Sequence, residues 1–401
     1  MKVLVVNKFF FLKGGAETVF FQEREMLQDI GVNVIDFSMA HEKNFASQYE
    51  AFFVDNIDYH SKPSALDALK TAFRFIHNSE ACKKLAALIS QEKPDIVHFH
   101  NIYHQLTPSI IKVAKAAGCK TVLTAHDTKI ACPSYTMYRD GHTCEDCLQG
   151  SVFNAFKNRC YDGSLFKSGL LTAEAIYQSL ANNYQALDVI VSPSQFLANI
   201  IKQKLPNSRI DVIVNGIDEN VDMTNTSDEG YFLFLGRLSK EKGVETMAKA
   251  YQLCSQSMPL KVAGVGPLTE ELTEHYPNVE LLGFQSGESL HKLIREASAI
   301  IVPSECYENC SMSVLEAMAY GKPIIGANIG GIPEQVRDNV EGRLFEAGNP
   351  ESLAQVMDEM ARSSTEREAL GKFARKRLVD TYSLTSHHQK LISLYKELLG
   401  Q

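Results

Sequence analysis

Residues 302–333 read VPSECYENCSMSVLEAMAYGKPIIGANIGGIP. A short apolar run ends at Val302, a polar loop follows, a helical pattern starts near Ser313, and a second apolar run begins at Pro323. Strand, loop, helix and strand in that order make the repeating unit of a parallel sheet whose strands are covered on both faces. Glu308 falls in the loop and Glu316 in the first two turns of the helix, with seven residues between them. The amides of Ser311, Met312 and Ser313 would emerge from a helix N-terminus, where an anion such as a phosphate is stabilised. The same residues fit a plainer arrangement. Ser313 and Glu316 have the spacing of a capping box, and glutamate is favoured near the positive end of any helix. Spacing alone leaves both open.

The alternation extends through the 401 residues. Val- and Ile-rich strand candidates at Lys2–Val6, Val32–Phe37, Asp95–Phe99, Lys120–Thr124, Asp188–Ser192 and Asp211–Val214 form one series. Tyr231–Leu235, Leu260–Ala263, Val279–Leu282, Ala299–Val302 and Pro323–Gly326 form a second. Helical patterns such as Ala16–Ile30, Thr107–Ala117, Val244–Gln256 and Glu288–Ala297 lie between them. Two series predict an α/β protein of two doubly wound, Rossmann-like domains facing a central cleft, where ligands bind outside the carboxyl ends of the strands. The polar stretch Asn215–Gly230 reads as a loop near the junction. The boundary is placed just before the last strand of the first series, giving domains 1–207 and 208–383. Residues 128–163 are irregular and read as an insertion on the first domain.

At 45% hydrophobic and 22% charged residues, the composition is that of a globular protein with apolar material for two cores. Lys plus Arg total 40 against 48 Asp plus Glu, a net −8 that does not suit a general nucleic-acid binder. The deficit is uneven: residues 1–190 carry 19 basic and 20 acidic side chains, and the remainder 21 and 28. The first half therefore meets an anionic partner with less repulsion. No run of 18 apolar residues is free of charges, so no transmembrane helix is expected. Asn7 and Lys8 interrupt the apolar start and no small-residue cleavage site follows, so it reads as a strand and not a signal peptide. Nine cysteines without an export signal fit a reducing cytoplasm.

Further short motifs accompany the 302–333 stretch. They are Gly14-Gly15-Ala16-Glu17 after the first strand, His126-Asp127 after the fourth and Asn215-Gly216-Ile217-Asp218 at the junction. Gly236-Arg237-Leu238, Glu241-Lys242-Gly243, Gly264-Val265-Gly266-Pro267 and Gly330-Gly331-Ile332-Pro333-Glu334 follow. Each is weak alone. With the two glutamates, in this order and over nearly the whole chain, they resemble the family 4 retaining glycosyltransferases of the GT-B fold, such as those of bacterial surface-polysaccharide biosynthesis.

The resemblance implies transfer of a sugar from a UDP- or GDP-sugar to a saccharide hydroxyl, with retention, by a front-face reaction in which the departing phosphate takes the acceptor's proton. It places Arg237 and Lys242 on the diphosphate, the first as a planar fork and the second as a point charge, where they stabilise the leaving group. Gly14 and Gly15 would admit backbone amides close to the phosphates, and Gly266 belongs to the same donor site. Glu316 would accept hydrogen bonds from the ribose hydroxyls and Glu308 from hydroxyls of the transferred sugar. Amides of Asn309, Cys310, Ser311 and Met312 would complete the cradle. His126 would reach the donor sugar from the N-terminal domain, with Asp127 orienting its loop; His98 and His100 have weaker claims on the cleft. Asn309-Cys310-Ser311 replaces the family's frequent Phe-Gly, a departure that bears on the choice of sugar. The cations and helix amides would do the work of a divalent metal, so none is required as a cofactor. The last helix, 384–401, would pack back on the N-terminal domain. Rival readings on the same fold are a nucleotide-sugar epimerase, a phosphorylase or a non-catalytic nucleotide-sugar-binding partner.

Cys132, Cys144, Cys147 and Cys160 are spaced C-x11-C-x2-C-x12-C inside the insertion. This suggests a structural, sulfur-only zinc site ordering a loop with little core of its own. Disulfides, an iron–sulfur centre or four independent thiols are the alternatives, and His142 could replace one cysteine. Two segments combine cations with aromatics: 62–93, with Lys62, Lys70, Arg74, Lys83, Lys84 and Lys93, and 152–167, with Phe153, Phe156, Tyr161 and Phe166 beside Lys157, Arg159 and Lys167. Such faces can rest on an anionic membrane, as a peripheral enzyme with a lipid-linked saccharide acceptor would need. A solvated helix face reads equally well.

Overall fold

The computed structural model describes residues 1–56, 65–224, 226–255 and 258–401. Lys62 of the basic segment, Asn225 of the junction loop and Gln256 at the end of an expected helix lie outside them. Six parallel strands make the first sheet: β1 (Lys2–Val6), β2 (Asn33–Phe37), β3 (Ile96–Phe99), β4 (Lys120–Thr124), β5 (Val189–Ser192) and β6 (Ile210–Val212), in spatial order β2-β1-β3-β4-β5-β6. Six more make the second: β7 (Phe232–Leu235), β8 (Leu260–Ala263), β9 (Glu280–Gly283), β10 (Ala299–Val302), β11 (Ile324–Ala327) and β12 (Gly342–Phe345), in the order β9-β8-β7-β10-β11-β12. Helices cover both faces, so most central-strand residues are buried and the strands read as continuous apolar runs.

Eleven of the twelve strands fall within a residue or two of their expected places; β12 was not anticipated. β6 pairs in parallel with β5, Ile190 opposite Ile210, so the first sheet runs to Val212 and the expected boundary at 207/208 falls one strand short of its edge. Four helices matter below: α1 (Gly15–Asp29), α2 (Leu165–Leu180), α3 (Met312–Ala319) and α4 (Leu384–Leu399). The first core is built around Val3, Leu4, Val97 and Ile190 and also takes Leu391, Leu394 and Tyr395 of α4. The second gathers around Phe232, Leu233, Ile300 and Ile301.

The chain crosses between the sheets twice, and the crossings pair with each other. Ile217 N donates to the Tyr382 carbonyl at 3.1 Å and Leu384 N to the Ile217 carbonyl at 2.9 Å. A Cβ on Gly216 would stand 2.7 Å from the Leu384 Cα, so this crossing requires glycine.

Each sheet reverses its strand order once, between β1 and β3 and between β7 and β10. Loops diverge there and leave a crevice at the carboxyl ends of the strands. The loops after β1, β7 and β10 carry Gly14–Gly15, Arg237–Lys242 and Glu308 respectively.

Candidate active site

Two helix N-termini meet across the crevice. α1 begins at Gly15 and α3 at Met312, and a Cβ on Gly15 would stand 3.2 Å from the Met312 Cγ. Neither terminus is closed by its own N-cap side chain: Gly14 has none to offer and Ser311 makes no cap hydrogen bond, although Gln335 Oε1 takes the Ser311 amide. Ser313 donates its hydroxyl to the Leu235 carbonyl at 3.2 Å, so the capping box with Glu316 does not form. The first turns of both helices face a cavity of about 380 Å³. Gly15, His126, Lys242, Glu308, Asn309, Cys310, Ser311 and Met312 of the motifs line it. Gly14, Arg237, Gly266 and Glu316 do not.

Glu308 is held from several sides. Lys242 Nζ donates to its Oε1 at 2.6 Å and Ser304 Oγ to the same oxygen at 2.7 Å. Burial pushes the Glu308 carboxyl up, but Lys242 and Ser304 outweigh it and hold it below the usual range. The Glu308 carboxylate likewise raises Lys242. Gly243, at φ 67°, ends the Lys240–Lys242 turn with the place of its Cβ 1.8 Å from the Pro303 carbonyl, so the Lys242 turn seats directly on the start of the Glu308 loop. From the other side Gly331 N donates to the Glu308 carbonyl at 2.6 Å, and a Cβ on Gly331 would stand 2.0 Å from the Asn309 carbonyl. The Gly-Gly pair at 330–331 thus serves the backbone of the motif.

The four residues outside the lining have other surroundings. Arg237 is exposed beside the cavity, near the lining residue Tyr135, whose hydroxyl burial pushes up against the opposing charge of Arg237. Gly266 packs on backbone: its Cβ would stand 2.3 Å from the Leu238 carbonyl, so it braces the Arg237 loop and is not itself at the cavity. Glu316 is half-buried on α3, and burial pushes its carboxyl up to about 7. Gly14 is exposed, with only Glu17 Oε2 near an added Cβ, at 3.8 Å.

His126 lines the cavity, and its carbonyl accepts from Asn309 Nδ2 across the crevice at 2.7 Å. Asp127 orients the following turn, accepting from Tyr103 Oη at 2.6 Å and Lys129 N at 2.9 Å. His98 and His100 do not reach this cavity; both are buried behind His126.

Several contacts here join residues far apart in sequence. Gln335 Oε1 accepts from Ser311 N at 2.7 Å at the start of α3. Glu334 takes the Gln195 and Phe196 amides, at 2.8 and 2.5 Å, and so caps a helix of the other domain. The insertion reaches over the crevice: Tyr138 Oη donates to Glu305 at 3.1 Å and Tyr307 Oη to Glu145 at 2.8 Å. Thr128, Tyr135 and Thr136 of the insertion line the cavity. Glu305, Tyr307, Ser311 and Glu334 lie in motif stretches quoted above, but nothing local to them names the partners they meet here.

The four insertion cysteines are free thiols near one another. Burial and the neighbouring thiols push Cys147 up to about 12 and Cys160 to about 11. Among the described residues the one set of three or more His, Cys, Asp or Glu ligand atoms within 4.8 Å of each other is Glu23, His98 and His100, so the thiols are gathered but not drawn into a tight cage. No helix of the described residues is long and apolar enough to cross a membrane.

Two family models cover the chain: "Glycosyltransferase Family 4" matches residues 13–221 and "Glycosyl transferases group 1" residues 218–377. An uncharacterised glycosyltransferase of Methanocaldococcus jannaschii is 24% identical over 377 residues, covering 93% of this chain and 92% of the relative. The lipopolysaccharide 1,2-N-acetylglucosaminetransferase of Salmonella typhimurium is 27% identical over 206 residues, 45% of this chain and 54% of that one. The structure is similar to HepE of Anabaena in complex with UDP-glucose, with a TM-score of 0.66 at 17% identity over 99% of this chain and 100% of that one. The chain belongs to glycosyltransferase family 4: it is a GT-B glycosyltransferase that takes its sugar from a nucleotide-sugar donor.

Proposed function

We propose that the enzyme moves a sugar from a UDP- or GDP-sugar to a saccharide hydroxyl, retaining the anomeric configuration. The observation that carries the reading is the pair of helix N-termini, neither closed by its own N-cap side chain, facing one cavity beside Lys242. Amides of both first turns and the Lys242 ammonium suit a diphosphate, whose charge grows as the bond to the sugar breaks. Arg237 closes on the same group from the rim, Glu316 takes the ribose hydroxyls, and Glu308, fixed by Lys242 and Ser304, takes hydroxyls of the transferred sugar. No side chain forms a glycosyl intermediate: the departing phosphate accepts the proton of the attacking hydroxyl on the same face. No divalent cation takes part, so turnover persists in EDTA.

The test is thermal stability against UDP-, GDP- and ADP-sugars, repeated on Arg237→Ala. A donor at 100 times its Kd adds about 2.7 kcal/mol to stability. A rise with one base, lost in Arg237→Ala, supports the site; acceptor-independent conversion of the donor would point instead to an epimerase.

The acceptor side of this reading is a lipid-linked saccharide. The Asn154–Lys157 turn, α2 and the Ala65–Ile76 helix pack together and leave Phe73, Phe153, Leu165, Phe166 and Leu180 exposed beside Lys157 and Arg159. That mixture suits an anionic membrane surface. In the 62–93 segment Arg74 and Lys84 pair with Glu80, which leaves 152–180 as the stronger contact. Failure to float with anionic vesicles would remove this part. The insertion thiols are proposed to close on zinc, checked by metal content before and after Cys147→Ser.

A further inference from the structure

Behind the cavity wall, α1, the ends of β3 and β4, and α4 bring together Glu23, His98, His100, His387 and Tyr395, all buried, against His126. His387 donates Nδ1–H to the Val214 carbonyl at 2.8 Å and turns Nε2 toward Glu23 Oε1 at 3.1 Å. A carbonyl and a carboxylate both only accept, so both ring nitrogens carry protons and His387 is an imidazolium paired with ionised Glu23. Burial opposes the charge on His387, yet Glu23 raises it overall. His100 stays neutral, held well below the usual histidine range by burial, and so has one N–H to place.

Its Nε2 lies 3.5 Å from Glu23 Oε2, and both atoms are buried without another hydrogen-bond partner among the described residues. Pointing Nε2–H at the carboxylate serves both. The Nδ1 of His100 is then an acceptor, and His126 Nε2, 2.9 Å away, must be the donor. His126 is neutral too, pushed down to about 4 by burial, so its Nδ1 is left bare. His98 braces the far side, with Nδ1 2.6 Å from Tyr395 Oη and 3.4 Å from Glu23 Oε2, and Nε2 2.8 Å from Thr124 Oγ1; half-buried His388 and exposed Lys390 are further titratable neighbours.

We propose that Glu23, acting through His100, is a positioning residue that fixes the tautomer of His126, so that the ring keeps Nδ1 as an acceptor for a hydroxyl of the transferred sugar. This rests on His126 meeting the donor, as proposed above. A metal ion is the rival. Glu23 Oε2, His98 Nδ1 and His100 Nε2 lie within 4.8 Å of each other, and a cation there would take the Nε2 lone pair of His100. His100 would then donate from Nδ1, and the tautomer of His126 would be inverted.

Long-range nitrogen–proton correlation spectra of the whole chain, labelled at histidine, separate the two. The expected result is His126 protonated at Nε2 and bare at Nδ1. Glu23→Gln should make His126 a mixture of tautomers and lower kcat about tenfold, one hydrogen bond's worth, with donor KM within about twofold. His100→Gln should do the same while leaving the Glu23–His387 pair in place, which covers a Glu23→Gln chain that fails to fold. A wild-type His126 protonated at Nδ1, a stoichiometric metal that the purified enzyme keeps in Cys147→Ser and loses in His98→Ala, or an unchanged tautomer in both variants would overturn the proposal. Full turnover in His126→Ala would instead overturn the functional reading on which it rests, whatever the spectra show.

Discussion

Glu308 and Glu316 belong to one motif, yet their surroundings drive them in opposite directions: Lys242 and Ser304 hold Glu308 ionised, while burial pushes Glu316 up to about 7. Hydroxyls of a ribose are best received by the ionised form, so under the proposed function donor binding should release a proton from Glu316. Affinity for an intact nucleotide sugar should therefore rise about tenfold from pH 6 to pH 8 and level off above, since the free carboxyl is half protonated near 7. Calorimetry across that range checks it, and Glu316→Gln should bind more weakly with no such slope. Both glutamates were legible through the wider set of motifs, since their spacing alone also fitted a capping box. Glu23 was not, because nothing in the local run of glutamates and glutamines on α1 separates it from exposed Glu25. The one available signal was its place on the stripe with Val19 and Leu27, four residues either way, where a carboxylate must find a buried partner. The partners, His100 and His387, are brought by β3 and α4, so no local pattern could name them.

At the scale of elements, the cavity is made by where two helices start. Gly14 and Gly15 sit in one motif but face different neighbours, and the structure separates their roles. Gly15→Ala brings a methyl group within 3.2 Å of Met312 at the gap between the two N-termini, whereas Gly14→Ala meets nothing nearer than 3.8 Å. Donor affinity should fall roughly tenfold in Gly15→Ala, about one lost hydrogen bond, with the melting temperature unchanged or raised, because alanine suits a first helical turn better than glycine. Gly14→Ala should bind donor as the parent does. The long apolar strands were readable because burial on both faces writes itself as runs of Val and Ile. β12 was not, since Gly-Arg-Leu-Phe is four residues with a glycine and a charge and no β-branched side chain. The N-cap of α3 is Ser311, two residues before the Ser313 of the expected capping box, for a related reason. Ser311 and Ser313 are equally good caps in sequence, and Ser313 is engaged by Leu235 while Ser311 N is taken by Gln335.

For the molecule as a whole, the two domains meet through polar contacts that include the carboxylate of Glu334 on the Gln195 and Phe196 amides. Glu334→Ala leaves both cores intact and removes hydrogen bonds to a charged group, about 2 kcal/mol of interdomain attachment. The expected outcome is a larger radius of gyration by small-angle scattering and a raised donor KM, with each domain still cooperatively folded. An unchanged scattering profile with unchanged KM would count against that contact as a clasp. The motif Gly-Gly-Ile-Pro-Glu was visible in sequence; that its glutamate caps a helix of the other domain was not, since the contact spans 138 residues. The return of α4 has a further consequence, for biosynthesis. The domain that leaves the ribosome first lacks Leu391, Leu394 and Tyr395, which complete its core, and His387, which neutralises Glu23. Until α4 is translated that domain has an open seam and a buried carboxylate without its cationic partner, so a stalled chain ending before residue 384 is a natural client for a chaperone, and maturation waits on the synthesis of α4.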